Sequence, residues 1–499
     1  MFLFLVFSTD QCDSAWARSP TSSGRKSVYK VPSQQPPVDS RRIDKALRLL
    51  HRALGPSKLI TSRDGCEPYG RDESEAQGRV PDVVVLASCP EDVVATLDCA
   101  RRAGVPVTPR CAGTGRTGGA VPLRGGIVLS TLGMNEVKEV DIRDRVAVVQ
   151  PGVILEDLHH VVEREGLFYP PDPNSQASCG LGGNIAENAG GPRAFKYGVT
   201  RDYVLGLEAA TLGGGLVRTG RRTVKGVVGY DLTALLVGSE GTLGIVTEAT
   251  LRLLRKPERV FTLLALFSEV RAAGQAVAAV VDARVVPRCL ELMDAASLQA
   301  IRAQGVGIDA RAGAMLLIEV DGDEAACERD MERAGQACVE AKALEVLAAQ
   351  GGTQRDRLWA ARRELSPAVR KLARNKLAED VVVPAGRIPE LLVRVDELAA
   401  ALRVRVLTYG HAGDGNLHVN FLWDEEDELP RVEAAIRRLF EEVLALQGTI
   451  SGEHGIGVLK APYLGMEQGA GLIALQQRVK RAFDPRGLMN PGKIFMAGG

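Results

Sequence analysis

Three of the six histidines in this chain of 499 residues stand in two short glycine-rich segments. The first segment carries His411 and His418, and the second carries the adjacent pair Glu453 and His454. Two imidazoles and one carboxylate form a three-ligand set that leaves a divalent metal one open coordination position, as catalytic metal sites do. His454 would then remain free to move protons. These four residues predict a joint metal and substrate site.

The residues around them favour this interpretation over histidines that only fill a core. Glycines permit positive backbone angles and the close approach of a ligand, and the two segments contain six of them, at positions 410, 413, 415, 452, 455 and 457. The stretch 417–421 alternates as a strand does, which places His418 and Asn420 on one face.

Composition limits the classes of function. The 62 basic residues balance the 62 acidic ones, so net charge gives no indication of nucleic-acid or membrane-surface binding. The length predicts two or more domains of ordinary soluble composition. None of the nine cysteines forms a C-x-x-C pair, which argues against an iron–sulfur cluster on this chain. A reduced, cytoplasmic location is the simpler expectation.

The N-terminal part predicts little structure. Its opening apolar run is far shorter than a bilayer span, and no transmembrane segment is expected. Ser, Pro, Gln and basic residues follow, so residues 1–42 are interpreted as a disordered extension. Ordered structure is expected to begin with the amphipathic stretch 43–54.

A strand–helix–strand unit leads into a glycine loop. A strand at 82–87 is followed by a helix from Pro90 to Gly104 and a strand at 105–108. The next residues, 109–120, satisfy G-x-G-x-x-G at Gly113, Gly115 and Gly118. A Rossmann fingerprint must open a helix, whereas further glycines and a proline follow here, so we reject that fold. Exposed backbone N–H groups in such a loop can still cradle a pyrophosphate.

Two further loops combine small residues with amide, carboxyl or hydroxyl side chains. The first runs from 169 through 191 and includes S-C-G-L-G-G-N-I-A-E-N-A-G-G, and the second is V-G-S-E-G-T-L-G-I-V at 237–246. Three such loops in one domain exceed what turns require. They suit a large, flat cofactor that lies against the backbone.

The order of these motifs, with the closing F-D-P-R-G-L-M-N-P-G-K at 483–493, resembles the FAD-linked oxidases of the vanillyl-alcohol oxidase and p-cresol methylhydroxylase (PCMH) fold group. The C-terminal half resembles the branch with the glycolate oxidase flavin subunit, D-lactate dehydrogenase and D-2-hydroxyglutarate dehydrogenase. The resemblance implies an α+β fold: a PCMH-type FAD-binding domain of two subdomains at 43–255, and a substrate or cap domain at 256–470. The cap would have an antiparallel sheet with flanking helices, and residues 471–499 would return to the FAD domain.

The resemblance also implies the cofactor site. Cys111 stands where relatives usually have glycine, and no histidine occurs in its loop, so we expect non-covalent FAD. The implied FAD-binding residues are Arg110, Gly113, Thr114, Gly115, Thr117, Gly118, Gly119, Pro171, Asp172, Ser178, Gly182, Gly183, Asn184, Asn188, Gly190, Gly238, Glu240, Gly241, Gly244, Ile245 and Asn490.

For the substrate site, the resemblance implies His411, His418 and Glu453 as metal ligands. It implies four catalytic or substrate-contacting residues: His454 as the base, Asn420 as a substrate contact, and Arg362 and Lys376 as cations for the substrate carboxylate. The neighbouring Arg363 is the alternative to Arg362. Zinc is the first candidate metal, with manganese or iron as alternatives.

The implied reaction is oxidation of a D-2-hydroxy acid of the glycolate or D-lactate class to the 2-oxo acid, with hydride transfer to flavin N5. D-2-hydroxyglutarate is an alternative substrate, and a non-redox alkyl transferase or an accessory flavin subunit are alternative functions. The electron acceptor would not be NAD but an electron-transfer flavoprotein, a quinone or an iron–sulfur partner subunit. Peripheral membrane attachment through such a partner and a homodimer both remain open.

Overall fold

The computed structural model describes residues 36–349 and 352–496, so most of the predicted N-terminal extension lies outside the described residues. The helices are α1 Ser40–Leu54, α2 Arg63–Cys66, α3 Pro90–Ala103, α4 Leu155–Arg164, α5 Leu181–Glu187, α6 Ala194–Tyr197, α7 Leu232–Leu236, α8 Val270–Asp282, α9 Ala295–Arg302, α10 Glu324–Glu340, α11 Gly352–Arg370, α12 Ile388–Leu402, α13 Leu429–Ala445, α14 Leu464–Glu467 and α15 Ala470–Phe483. The strands are β1 Leu59–Ile60, β2 Val83–Leu86, β3 Val107–Arg110, β4 Ile127–Ser130, β5 Val137–Asp141, β6 Val146–Val149, β7 Leu167–Phe168, β8 Val204–Thr211, β9 Gly215–Gly220, β10 Ile245–Arg252, β11 Leu254–Arg255, β12 Arg259–Phe267, β13 Cys289–Met293, β14 Ala314–Gly322, β15 Glu345–Ala348, β16 Asn375–Val382, β17 Arg405–His411 and β18 Asn416–Trp423.

The first subdomain is a four-stranded sheet of order β1-β2-β4-β3, in which β2, β4 and β3 are parallel. Helix α3 begins at Pro90, and Gly104 ends it in the left-handed conformation with φ 73°. Its apolar face packs with α1 and the sheet into one core. No helix follows β3 before β4, so the rejection of a Rossmann fingerprint is confirmed. The chain is ordered three residues earlier than expected, since α1 begins at Ser40.

The second subdomain is a five-stranded antiparallel sheet of order β5-β6-β10-β8-β9. Helices α4 and α5 pack against its buried face, where the core residues include Leu158, Leu181 and Leu251. The glycine segment 237–246 leads into the central strand β10 of this sheet. A rigid central strand therefore fixes one end of the third predicted cofactor loop.

The cap is a seven-stranded antiparallel sheet of order β15-β12-β14-β13-β17-β18-β16. The apolar, strand-like stretches 261–267 and 315–320 of the sequence are the cores of β12 and β14. Helices α8, α10, α12 and α13 cover one face, and α9 and α11 pack on the other. The predicted α+β class, with a cap built on an antiparallel sheet and flanking helices, is confirmed.

The C-terminal residues pack on the FAD-binding part of the chain. Met489 pairs with Val107 of β3, and Lys480 of α15 donates to the Thr242 carbonyl at 2.7 Å. Among the described residues, no helix combines the length and the apolar character that crossing a membrane requires.

Candidate active site

The predicted ligand set comes together at one edge of the cap sheet. His411 Nε2 lies 3.4 Å and His418 Nε2 lies 3.6 Å from the same carboxylate oxygen, Glu453 Oε1. The two imidazoles meet edge to face, with ring centroids 5.3 Å apart. The ligand atoms of all three residues lie within 4.8 Å of one another. An arrangement of this size can enclose a single metal ion.

Strand pairing explains how two histidines seven residues apart become neighbours. Strands β17 and β18 form a hairpin in which Tyr409 pairs with His418 and His411 pairs with Asn416. Alternation along the strands then places His411 and His418 on the same face of the sheet. The glycine-rich turn between the strands closes the hairpin.

Glu291 fixes the orientation of His411. This carboxylate is fully buried on β13, directly opposite His411 in the sheet, and its Oε1 lies 2.5 Å from His411 Nδ1. A ring whose Nδ1 faces a carboxylate presents Nε2 to a metal. The sequence interpretation missed Glu291, although a lone carboxylate in the apolar strand C-L-E-L-M was a signal of a buried polar role.

The segment that carries Glu453 and His454 is held by two carboxylates from different domains. Asp380 Oδ2 on β16 accepts the backbone N–H groups of residues 452, 453 and 454 at 2.8–2.9 Å. Glu240 from the FAD-binding part accepts the N–H groups of Ile456 and Gly457, each at 2.8 Å. Asp380 was not among the predicted site residues, and Glu240 was predicted only as a flavin contact.

His454 stacks on His418 beside the ligand set. Their rings are nearly parallel, 11° apart, with centroids 5.3 Å apart. His454 Nδ1 faces Asp380 Oδ2 at 3.9 Å, and Nε2 is 4.0 Å from Glu453 Oε1. Its side chain is 19% exposed, compared with 6% for His418. His454 is therefore the most accessible imidazole of the three.

The charges of the site show what it can bind. Burial alone would lower the pKa of His411, but the carboxylates of Glu291 and Glu453 outweigh burial and raise this pKa well above its usual value. Burial lowers the pKa of His418 to about 3 and that of His454 to about 4, so both rings are neutral at pH 7. The protein thus holds a positive charge between two carboxylates, the position that a metal cation would otherwise fill.

An unpartnered atom tests the fit of a metal directly. Among the described residues, the buried His411 Nε2 has no hydrogen-bond partner, although it faces Glu453 Oε1 at 3.4 Å. Buried polar atoms are rarely left unpaired without a functional reason. Nitrogen and carboxylate donors that face one another in this way fit zinc, manganese or iron.

The predicted carboxylate-binding cations line the cavity beside this cluster. Arg362 is 2% exposed, its Nε donates to Glu291 Oε2 at 2.6 Å, and its Nη2 has no partner among the described residues. Its guanidinium lies over the Tyr409 ring at 4.9 Å. Burial, aided by Arg116 and Arg370, lowers the pKa of Lys376 to about 7. The alternative, Arg363, also lines the cavity and is exposed.

Asn420 lies within the cap sheet on β18, and its side-chain Oδ1 has no hydrogen-bond partner among the described residues. It is completely buried, and its amide donates to the His418 carbonyl at 2.9 Å. It does not line the cavity that the other substrate residues share. Alternation placed Asn420 on the correct face of β18, but its strand position is further from the open edge.

One continuous cavity joins this cluster to the three glycine-rich loops. It passes from His418, Glu453 and His454 to most of the predicted FAD-binding residues. Those that line it are Arg110, Gly113, Thr114, Gly115, Gly119, Gly182, Gly183, Asn184, Glu240, Gly241, Gly244, Ile245 and Asn490. Those that do not are Thr117, Gly118, Pro171, Asp172, Ser178, Asn188, Gly190 and Gly238.

Several residues outside the cavity support its walls. Thr117 Oγ1 donates to the His454 carbonyl at 3.0 Å, which ties the first loop to the segment 451–457. Asp172 forms an ion pair with Arg193 at 3.0 Å, and its burial raises its pKa to about 6. The Pro171 carbonyl lies 3.1 Å from His159 Nε2.

The walls of the cavity fit a flavin nucleotide. Glycines in all three of its loops expose backbone without a Cβ, as a cofactor lying against backbone requires. Three buried polar atoms that line it, Asn184 Nδ2, Glu187 Oε2 and Asn490 Oδ1, have no partner among the described residues. They are available to hydrogen-bond a polar, ring-shaped ligand.

Comparison with known proteins agrees with this arrangement. Residues 81–220 match the family described as FAD binding domain, and residues 256–494 match FAD linked oxidases, C-terminal domain. The chain is 43% identical over 449 residues to the glycolate oxidase subunit GlcD of Bacillus subtilis, and the match covers 89% of this chain and 96% of that protein. It is 35% identical over 461 residues to a D-lactate dehydrogenase of Anaerostipes hadrus, with 89% and 96% covered.

The fold agrees with that of a solved flavoenzyme. The structure of p-cresol methylhydroxylase with substrate bound superposes with a TM-score of 0.79 at 16% identity, and the match covers 93% of this chain and 99% of that one. This similarity concerns the fold alone. The family matches and the relatives establish that the chain belongs to the FAD-linked oxidases and is an FAD-dependent oxidoreductase.

Proposed function

We propose that the protein oxidises a D-2-hydroxy acid of the glycolate or D-lactate class to the corresponding 2-oxo acid. The observation that carries this proposal is the wall of the cavity opposite the flavin loops. Carboxylate-binding cations, Arg362 and Lys376, line it beside the imidazole and carboxylate cluster. A 2-hydroxy acid presents a carboxylate and a hydroxyl on adjacent carbons, which matches these two chemistries. The names of the curated relatives support the same substrate class.

Arg362 and Lys376 hold the substrate carboxylate. Glu291 accepts a hydrogen bond from Nε of Arg362, so the unpartnered Nη2 is the guanidinium nitrogen that remains available to a ligand. A guanidinium held in this way is preorganised to hold an anion. Arg362 is a better candidate than Arg363 for this reason. Asn420 acts indirectly, through the backbone of His418.

His454 takes the proton of the substrate hydroxyl. Its Nδ1 faces Asp380, so Nε2 is the atom on the open side of the ring that accepts the proton. A neutral imidazole that is partly exposed and adjacent to the ligand set is well placed for general-base work. Loss of that proton and of a hydride from the same CH–OH group leaves the carbonyl of the 2-oxo acid.

The three glycine-rich loops would hold FAD non-covalently, and bound FAD would supply a two-electron acceptor for the hydride. Covalent attachment would need a nucleophile beside the flavin. Burial raises the pKa of the Cys111 thiol to about 11, and its sulfur donates to the Pro151 carbonyl at 3.3 Å. A protonated thiol that is already hydrogen-bonded favours a dissociable cofactor.

His411, His418 and Glu453 hold a divalent cation, with zinc the first candidate and manganese or iron the alternatives. Two imidazole nitrogens that face one carboxylate oxygen, with His411 Nε2 unpartnered among the described residues, support this assignment. Such a cation supplies Lewis acidity, which lowers the pKa of a nearby hydroxyl.

The electrons would leave the protein through a carrier other than NAD, namely an electron-transfer flavoprotein, a quinone or an iron–sulfur partner subunit. Two curated relatives are named as subunits of glycolate oxidase, which supports a partner protein. We also propose that the protein forms a homodimer.

Anaerobic flavin absorbance tests the reaction. The holoprotein is titrated with glycolate, D-lactate, L-lactate and D-2-hydroxyglutarate, before and after chelation. We expect bleaching by one or more of the acids, a preference for the D isomer of lactate, and loss of bleaching after chelation. A protein that retains FAD but is bleached by none of these acids would not be a hydroxy-acid oxidoreductase.

The pH dependence of kcat/KM tests the role of Lys376. Because the pKa of Lys376 is lowered to about 7, the side chain is a cation below that pH and neutral above it. We expect kcat/KM to decrease as pH rises through about 7, since this profile reports the free enzyme. Lys376→Arg keeps the charge and should remove the decrease, while the exposed Lys371→Arg should leave the profile unchanged. An identical profile for wild type and Lys376→Arg would contradict this role.

A further inference from the structure

The carboxyl group of Glu187 lies where the flavin loops meet the catalytic segment. Glu187 is the last residue of α5 and lines the cavity. A Cβ on Gly119 would come within 2.7 Å of its Oε1, and a Cβ on Gly455 within 2.2 Å of its Oε2. Glycine at both positions therefore leaves room for this carboxyl. The Glu187 carboxyl lies between the first flavin loop and the segment that carries Glu453 and His454.

The surroundings of Glu187 favour its protonated form. Glu240 is adjacent, and both of its oxygens accept backbone N–H groups, from Ile456 and Gly457. Ionising two neighbouring buried carboxyl groups at once costs much free energy, and the one with two N–H donors keeps the charge. The C-terminal end of a helix also disfavours a negative charge. Burial and the charge of Glu240 accordingly raise the pKa of Glu187 well above its usual value.

The nearest cation does not neutralise this pair by contact. The charge of Lys493 acts on both Glu187 and Glu240, but among the described residues its ammonium forms no ion pair with either and donates to the Val121 carbonyl at 2.7 Å. Burial lowers the pKa of Lys493 to about 8. These surroundings favour the protonated form of Glu187, and its buried Oε2 has no hydrogen-bond partner among the described residues.

We propose that Glu187, as a neutral carboxylic acid, donates a hydrogen bond to the isoalloxazine ring of FAD. A protonated carboxyl needs an acceptor, and the ring offers carbonyl oxygens and ring nitrogens. The ring, rather than the pyrophosphate, is the acceptor because Glu187 contacts Gly455, one residue from His454, where substrate and flavin must meet. The proposal rests on FAD binding in this cavity and is independent of which substrate is oxidised.

FAD affinity and the flavin spectrum of the holoprotein test the proposal. The dissociation constant is measured from FAD fluorescence on dilution, and hydrogen bonding to the ring from the visible absorbance maximum. Glu187→Gln keeps a donor of the same shape, so its FAD affinity should stay within about threefold of wild type. Glu187→Leu removes the donor and should weaken FAD binding about tenfold and shift the absorbance maximum.

Glu165→Leu is the matched control, since Glu165 is exposed and caps the end of α4. It should leave both measurements unchanged. Wild-type affinity and spectrum in Glu187→Leu would overturn the proposal. Equal weakening by Gln and Leu would show that FAD needs the ionised carboxylate. Weaker binding without a spectral shift would place the contact away from the ring. If Glu187→Leu does not fold, Glu187→Ala gives the same comparison.

Discussion

Replacing His454 with alanine is expected to slow the reduction of the flavin by substrate about 10²–10⁴-fold, the usual contribution of a positioned general base. FAD should remain bound, because His454 holds the flavin loops only through its backbone. Its carbonyl accepts from Thr117 Oγ1, and its N–H donates to Asp380. Both hydrogen bonds survive removal of the imidazole.

Anaerobic stopped-flow absorbance at saturating substrate separates the two effects. The rate of bleaching should fall, while the FAD content per protein stays at the wild-type value. His160→Ala is the matched control, since His160 is an exposed histidine on α4. If substrate reduced the flavin of His454→Ala at the wild-type rate, the role of this residue as the base would be refuted. Loss of FAD along with activity would indicate a structural role instead.

Local sequence patterns predicted the elements of the fold well. Apolar runs located β2, β12 and β14, and helical periodicity located α3, within a few residues, because both patterns reflect burial. Glycine and proline immediately after the motif at 113–118 were enough to reject a Rossmann helix. The order of the sheets, and the return of the C-terminal residues to β3, depend on pairings between distant segments that periodicity does not contain.

The candidate site was predicted less completely, for a physical reason. Sequence identifies residue types that bind metal or move protons, and the four residues at its centre do come together. Glu291 and Asp380 were missed as site residues because their role depends on which strand lies beside them. Glu240 was assigned to the flavin, whereas its oxygens bind the backbone of the segment 451–457. Partner choice across two domains is set by tertiary packing, and no local spacing encodes it.

Glu453→Gln is expected to weaken metal binding at least about 100-fold and to lower the rate of substrate oxidation by a comparable or larger factor. Glutamine keeps the shape of the side chain but removes the negative charge that faces both imidazoles. The carboxylate takes no part in the hydrogen bonds that hold its segment, because those use backbone N–H groups. The variant should therefore fold and retain FAD.

Elemental analysis after dialysis measures the metal, and anaerobic bleaching measures the activity of the same sample. Glu433→Gln, an exposed position on α13, is the matched control and should keep one metal per chain. The charges add a second expectation: without a cation, His411 is held protonated between Glu291 and Glu453. Removing the Glu453 charge leaves Glu291 as the principal carboxylate partner of His411, so the apo variant should hold this proton less tightly than apo wild type. A Glu453→Gln protein with full metal content and normal turnover would exclude Glu453 as a ligand. Normal turnover in wild-type protein free of metal would exclude a catalytic metal altogether.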